Sequence, residues 1–283
     1  AYYDQVLVVG APEVFDLRHE YRFPPFAAAK VHFCGYIARQ PGRLSRAEAR
    51  RELGVADKQP LVLVTPGGGE DGHALIGNYL EALRAAPAAQ RPRSHIVCGP
   101  EMGDAERAAL HRAAAALPQV SLQDFSDDMM SLMSAADVVL AMGGYNTVCE
   151  LLTLHKRAVI VPRIKPGQEQ SLRAERMAAL GLLRMLHPSR LTPTALLDAV
   201  HTELAAGSGL ATLSRLKSLD GLAQCSAALL EHVGLKPTPL PKPHKPTPAL
   251  AQAPAHHHAA DLASTPTPSW KRPAFSANAL SAS

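Results

Sequence analysis

The residues best suited to chemistry follow a short apolar run that ends at Ala141. Gly143 and Gly144 come directly after it, and Asn146 and Thr147 then open an amphipathic segment. A strand that leads through glycines into a helix presents unpaired backbone N–H groups and the positive end of the helix dipole. Glycines let a ligand approach the backbone closely, and Asn146 or Thr147 could cap the helix or bind a phosphate oxygen. The segment therefore predicts a phosphate site.

Acidic and amide side chains accompany this turn. Glu150 is predicted on the first turn of the helix, and a second apolar run stops at Pro162 before a loop that presents Gln168, Glu169 and Gln170. Such groups can hydrogen-bond the hydroxyls of a sugar beside a phosphate. An acid that only stabilises the helix dipole is the better explanation of Glu150 taken alone. The whole set favours a sugar nucleotide over a dinucleotide.

A second glycine-rich turn, residues 65–72 (TPGGGEDG), lies between a predicted strand and a predicted helix. It contains Gly67, Gly68 and Gly69 but is neither GxGxxG nor a P-loop, because no Gly-Lys-Ser/Thr follows. A flexible connection explains it equally well by itself, and its place in the first strand–helix unit favours a phosphate-facing loop. Asp71 is expected to cap the following helix rather than to act as a base.

Other classes of chemistry lack support. There is no HExxH, no GxSxG and no paired-carboxylate pattern, so metal-dependent and serine hydrolysis are not favoured. His155, His187 and His201 fit surface positions. The net charge of +4 comes from the last 48 residues, 236–283, and the rest of the chain is neutral. A neutral body without a basic stripe argues against nucleic-acid binding.

The cysteines and the hydropathy bear on the compartment. The four cysteines lie far apart and form no CxxC, which indicates reduced thiols and a reducing, cytoplasmic compartment. No apolar run approaches the roughly 20 residues needed to cross a bilayer.

Short apolar runs alternate with amphipathic segments along most of the chain. Runs that are apolar throughout predict a Rossmann-like parallel sheet flanked by helices on both faces, with ligands at the carboxyl ends of the strands. Strands are predicted at 5–9, 31–37, 61–65, 94–99, 120–125, 137–141, 158–162 and 183–186. Helices are predicted after Ser45 and at 71–86, 104–117, 127–135, 146–155, 168–179, 194–206 and 213–233.

Three domains are expected. Residues 1–40 predict the end of a truncated N-terminal domain and a linker, because one or two strands cannot form a core alone. Residues 41–235 predict the main α/β domain. Residues 236–283, rich in Pro, Ala, Ser and Thr, are expected to be a disordered C-terminal tail.

Residues 59–206 resemble a known family. The run QDFSDDMMSLMSAADVVLAMGGYNTVCELL, then VP and then EQSLRA, is similar to the C-terminal, donor-binding domain of GT-B glycosyltransferases of family 28, the MurG-like group. The GGYNTVCE and VPR…EQ segments resemble most closely its "predicted glycosyltransferase" branch.

The resemblance implies a UDP-sugar donor, no cofactor and no bound metal ion. It places Ser126, with Met129 nearby, where backbone groups hold uracil. It also implies phosphate-facing turns at Gly67, Gly68, Gly69, Gly143 and Gly144. Glu150 would bind the ribose hydroxyls, and Glu169 and Gln170 would read the sugar. Departures occur at His155 and Arg157, and at Gly167, where an Asp is common; the last affects which sugar is read.

The activity implied is inverting, metal-independent hexosyl transfer to an unknown acceptor, with this chain as the donor-binding portion. The acceptor site and catalytic base would lie on an upstream domain or a separate chain. Two alternatives stay open. One is a non-catalytic nucleotide-sugar-binding subunit that needs a partner, and the other is a UDP-sugar epimerase of the same architecture.

Overall fold

The computed structural model describes residues 3–165, 167–207 and 219–235. The tail expected at residues 236–283 and the start of the helix predicted at 213–233 lie outside the described residues.

The strands and helices follow the predicted alternation, with bounds within a few residues of those expected. The strands are β1 (Val6–Val8), β2 (Val31–Phe33), β3 (Leu61–Thr65), β4 (Arg93–Val97), β5 (Val120–Gln123), β6 (Val138–Ala141), β7 (Arg157–Ile160) and β8 (Arg184–Met185). The helices are α1 (Leu17–Glu20), α2 (Pro25–Ala28), α3 (Arg46–Glu52), α4 (His73–Ala85), α5 (Asp104–Ala115), α6 (Met129–Ala135), α7 (Tyr145–Thr153), α8 (Glu169–Ala179), α9 (Pro193–Ala205) and α10 (Gly221–His232). The differences fall in the first forty residues: β2 ends at Phe33 instead of residue 37, and the short helices α1 and α2 were not predicted.

Six strands form one parallel sheet in the order β5-β4-β3-β6-β7-β8. The chain runs outward from β3 to β5, returns to the centre at β6 and then runs outward to β8. Strand order therefore reverses between β3 and β6, where Val62 is paired with Val138. Such a reversal opens a crevice at the carboxyl ends of the two central strands.

The sheet is apolar on both faces, as the uninterrupted apolar runs predicted. Every residue of β3 is buried. Val62 packs in a cluster that includes Tyr79 of α4 and Val200 of α9. Leu63 points the other way, into a cluster that includes Met133 of α6. Because neighbouring residues of a strand face opposite sides, a run apolar at every position is buried under helices on both sides.

The first forty residues pack against this sheet's helices. β1 and β2 form a separate two-stranded parallel sheet. Val14 and Tyr36 lie in one apolar cluster with Cys149 of α7 and Met177 of α8. The backbone at Ile37 forms an antiparallel bridge with the residue that precedes α10. The first forty residues therefore contact the helices of the main sheet directly. The division into three domains stays a prediction.

Candidate functional site

A cavity of about 410 Å³ lies at the carboxyl ends of the central strands. It is lined by Thr65, Pro66, Gly67, Gly68, Val97, Gly99, Pro100, Phe125, Ser126, Met129, Met133, Met142, Gly144, Tyr145, Asn146, Thr147, Glu150, Arg163 and Gln170. These residues come from the segments that follow β3, β4, β5, β6 and β7. The cavity therefore occupies the crevice that the reversal of strand order creates.

Most of the site residues expected from the sequence line this one cavity. They are Gly67, Gly68, Ser126, Met129, Gly144, Asn146, Thr147, Glu150 and Gln170. Segments as far apart as residues 67 and 170 thus converge, as the carboxyl ends of neighbouring parallel strands must. Their binding roles stay predictions.

Gly69, Gly143 and Glu169 do not line the cavity. Gly69 is buried at a φ of +101°, and a Cβ there would lie 2.5 Å from the carbonyl oxygen of Cys98. Gly143 has a φ of +72°, and its Cβ would lie 2.7 Å from a methyl group of Ile160. Both positions require glycine for backbone conformation and packing. Glu169 is exposed and pairs with Arg173 at 2.8 Å.

The N-terminus of α7 has no side-chain cap. Gly144 is the N-cap residue, so the expectation that Asn146 or Thr147 caps the helix is wrong: both lie inside its first turn. The first intrahelical acceptor is the Gly144 carbonyl, bonded by the Val148 N–H. Within the part of the chain described, the backbone N–H groups of residues 145–147 donate no hydrogen bond. These donors are free to face an anion.

The N-terminus of α4 has the same character. Gly72 is its N-cap, without a side-chain cap, so the capping role expected for Asp71 is wrong. The Asp71 carboxylate instead accepts a hydrogen bond of 2.7 Å from the Arg163 guanidinium, from the loop after β7. The turn after β3 therefore also leaves its first helical N–H groups uncapped by side chains.

Glu150 is the acid of the cavity wall. It was expected on the first turn of α7. It is instead the sixth residue of the helix and so lies beyond that turn. The helix dipole acts mainly within the first turn, which weakens the purely dipolar explanation. No described residue donates a hydrogen bond to its carboxylate. Burial raises the pKa of Glu150, and the positive charge of Arg39 partly opposes that rise.

Three cavity residues carry chemistry that the sequence did not assign to the site. Phe125 leaves 58% of its surface exposed beside Ser126, and such a ring can stack on a planar ligand. Its position as the last residue of the strand predicted at 120–125 was a usable signal. Tyr145 stacks on Tyr36, with ring centroids 6.1 Å apart. Arg163 reaches the cavity from a loop whose direction the sequence does not show.

The strongly perturbed groups elsewhere have structural roles. Burial lowers the pKa of His95 to about 4, and its Nδ1 lies 2.9 Å from the Ser121 hydroxyl. Burial also lowers the pKa of Lys156 to about 8, and its ammonium donates to two backbone carbonyls. In the residues described, no three His, Cys, Asp or Glu side chains are grouped to hold a metal ion. No described helix has the length and apolarity needed to cross a membrane.

Comparison with known proteins identifies the family. A family model described as the glycosyltransferase family 28 C-terminal domain matches residues 62–224, more than half of the chain. The chain belongs to this family. Its match spans all the cavity segments, from the turn after β3 to α8.

The relatives of this family 28 chain are glycosyltransferases by name. An uncharacterized glycosyltransferase of Methanopyrus kandleri is 26% identical over 194 residues, which cover 68% of this chain and 52% of that protein. The UDP-N-acetylglucosamine–N-acetylmuramyl-(pentapeptide) pyrophosphoryl-undecaprenol N-acetylglucosamine transferase of Verminephrobacter eiseniae is 35% identical over 130 residues, covering 44% and 35%. The match thus spans about half the length, or less, of these curated relatives.

Solved structures confirm the fold. The crystal structure of the glycotransferase of kitacinnamycin superposes with a TM-score of 0.55 at 20% identity, covering 81% of this chain and 54% of that one. The expected Rossmann-like parallel sheet of the GT-B type, flanked by helices, is confirmed.

Proposed function

We propose that this chain is the donor-binding portion of a hexosyltransferase that uses a UDP-sugar. The observation that carries the proposal is the cavity between β3 and β6. It combines uncapped helix N-termini, a carboxylate to which no described residue donates a hydrogen bond, and an exposed aromatic ring in one crevice. Each matches a different part of a nucleotide sugar.

The diphosphate fits the two central turns. Gly67 and Gly68 precede α4, and Gly144 precedes α7. Neither helix has an acid in its first turn or a side-chain cap. Backbone N–H groups at a helix N-terminus bind phosphate oxygens, and the helix dipole favours their charge.

The nucleoside fits the side of the cavity formed by Phe125, Ser126 and Glu150. An exposed ring beside a backbone segment suits a base, which needs stacking and edge hydrogen bonds. Glu150 suits the ribose, because a carboxylate can accept hydrogen bonds from two neighbouring hydroxyls. Its raised pKa reflects the cost of burial, and bound hydroxyl donors would offset that cost.

The sugar fits the start of α8. Gln170 lines the cavity there and offers both a carbonyl oxygen and an amide to hydroxyl groups. Glu169 does not line the cavity and pairs with Arg173. Of these two residues, Gln170 is therefore the stronger candidate for binding the sugar.

The chemistry follows from this placement. Preorganised N–H groups would stabilise the charge that develops on the departing UDP. We assign transfer with inversion and without a divalent ion, with the acceptor site and general base on an upstream domain or partner chain. A nucleotide-sugar-binding subunit without activity of its own is the second candidate, since the match spans about half the length of the relatives. The free cysteines favour a cytoplasmic location.

Calorimetry tests the proposal. The chain is titrated with UDP, uridine, UDP-N-acetylglucosamine and dTDP, with EDTA present in parallel runs. UDP should bind with a micromolar Kd that EDTA leaves unchanged, and Glu150→Gln should weaken it. Glu81→Gln, an exposed acid on α4 away from the cavity, is the matched control and should leave the Kd unchanged. Absence of binding at millimolar UDP would overturn the proposal.

A further inference from the structure

An arginine–aspartate pair joins two loops at the rim of the cavity. Arg163 follows β7, Asp71 precedes α4, and the closest nitrogen–oxygen distance between them is 2.7 Å. Glu70 lies 3.9 Å from the same guanidinium. The two side chains keep 34% and 44% of their surfaces exposed. Exposed pairs contribute little to stability, so a role in folding alone does not account for the placement.

The sheet topology places this pair beside the predicted phosphate site. β3 and β7 are the two neighbours of β6 in the sheet. The pair therefore connects the loops on either side of the turn at Gly144. Arg163 lines the cavity together with Gly67 and Gly68, and among the described lining residues it alone carries a positive charge.

Several acidic side chains lie near this guanidinium. Besides Asp71 and Glu70, a carboxylate oxygen of Glu101 would lie 2.9 Å from a Cβ built on Gly68. A diphosphate that enters beside these acids is repelled unless a cation offsets them. Arg163 is placed to do so, because a guanidinium can exchange a carboxylate for a phosphate with the same two-pronged geometry.

We propose that Arg163 binds the diphosphate of the donor, and that Asp71 holds the guanidinium in position and competes with the incoming diphosphate for it. The proposal rests on the proposed function, since it assumes a nucleoside diphosphate in this cavity. It adds a binding residue and an intrinsic competitor that set the affinity for the phosphate part of the ligand.

Two ligands separate the phosphate contact from the rest of the site. Calorimetry of Arg163→Met with UDP and uridine should show at least a tenfold loss of UDP affinity and unchanged uridine affinity. Arg163→Lys should fall between wild type and Met. Lys165→Met is the matched control, because Lys165 lies on the same loop and lines a neighbouring 230 Å³ cavity but not this one. It should change neither affinity by more than twofold.

The competition between Asp71 and the diphosphate is tested by neutralising single acidic residues. Asp71→Asn should tighten UDP about three- to fivefold and leave uridine unchanged. Glu101→Gln removes a nearby negative charge without touching the pair, so its gain should be smaller. Equal gains in the two variants would overturn the competition, and so would weaker UDP binding by Asp71→Asn.

The outcomes distinguish this inference from the proposed function. If wild type binds UDP and Arg163→Met binds it equally well, the assignment of Arg163 is wrong while the proposed function stands. A parallel loss of uridine and UDP in Arg163→Met would also overturn it, because the variant would then have disturbed the whole site. If wild type binds neither ligand, the proposed function fails and this inference fails with it.

Discussion

The helices that follow the two central strands begin with a different charge pattern from those that follow β4 and β5, although all four start at one edge of the sheet. At the centre, α4 and α7 begin with glycine N-caps and have no acid in the first turn. Toward the edge, α5 carries Asp104 and Glu106 in its first turn, and Asp128 caps α6 through the Ser131 N–H. The positive ends of the outer helices are already matched by acids.

This difference shows that the fold alone does not create the anion site. A parallel sheet directs the N-termini of its flanking helices toward one edge, and local residues then decide which of them can accept an anion. Of the helices after β3 to β7, only α4 and α7 have no acid at the N-cap or in the first turn. Glu70 and Asp71 lie just before α4, but Arg163 pairs with them. The site therefore depends on the strand order and on the absence of Asp or Glu from the first turns of α4 and α7.

The largest effect is expected where a central turn meets its outer neighbour. Gly99 has a φ of +95°, and a Cβ there would collide with the backbone of residues 67 and 68. Gly99→Ala should lower the free energy of unfolding by about 3 kcal/mol, because it adds backbone strain to a close contact. Urea denaturation measures the loss. Gly77→Ala, inside α4 with nothing within 4 Å, should instead add about 0.5–1 kcal/mol. Equal effects would mean that the two turns do not depend on each other.

The second-largest effect is expected at Glu150, where one substitution should weaken UDP binding and raise the stability of the protein. Glu150→Gln should weaken UDP about tenfold, because charge-assisted hydrogen bonds to ribose become neutral ones. The same change should raise the Tm of the unliganded protein at pH 7, since a partly buried charge is removed. An acid that served only the helix dipole would give the opposite result, a lower Tm with an unchanged Kd.

The pH dependence at Glu150 has a definite sign. Its pKa is raised above the ordinary value of 4.5, chiefly by burial. Folding favours protonated Glu150. Its contribution to the free energy of unfolding is therefore fully present below pH 4.5 and is lost as pH rises through the folded-state pKa. The difference in unfolding free energy between Glu150→Gln and wild type should therefore grow from pH 4 to pH 7. A difference that stays constant with pH would contradict the raised pKa.

The smallest effect comes from giving a central helix the charge of an outer one. Asn146→Asp places an acid in the first turn of α7 and should weaken UDP about fivefold, which corresponds to a dipole and charge effect near 1 kcal/mol. Asp104→Asn makes the reverse change in α5, outside the cavity, and should leave the Kd unchanged. If both variants bind like wild type, the contrast between central and outer turns has no bearing on UDP binding.

The sequence predicted the parts of this structure that depend on local pattern. Uninterrupted apolar runs such as residues 61–65 predicted buried parallel strands, because only a sheet covered on both faces needs them. The parallel sheet in turn predicted that Gly67, Gly144 and Gln170 would meet at one edge, and the family resemblance added Ser126. The helix predicted after Ser45 is formed, and Ser45 and Glu48 close a capping box at its start.

The parts that depend on distant contacts were not predictable. Asp71 looked like a helix cap because its partner lies 92 residues away and nothing local indicates it. Gly69 looked like a ligand-facing glycine, yet its conformation is needed for packing against residues 98 and 99. Glu169 and Gln170 are neighbours in sequence, and only the helix start decides which one faces the cavity. In each case the residue type could be read from the sequence, whereas the direction in which the residue faces could not.

The contact between the segment at residues 35–38 and the start of α10 has a consequence for biosynthesis. The Ala38 N–H donates to the Leu219 carbonyl, the Gly221 N–H donates to the Tyr36 carbonyl, and a Cβ on Gly221 would lie 2.5 Å from the Gly35 carbonyl oxygen. A ribosome adds about 5–20 residues each second, so residue 221 follows residue 38 by roughly 10–40 s. Throughout that interval the nascent chain carries the early strands with these backbone groups unpaired. The segment at residues 35–38 is therefore synthesised well before the residues that complete its contacts.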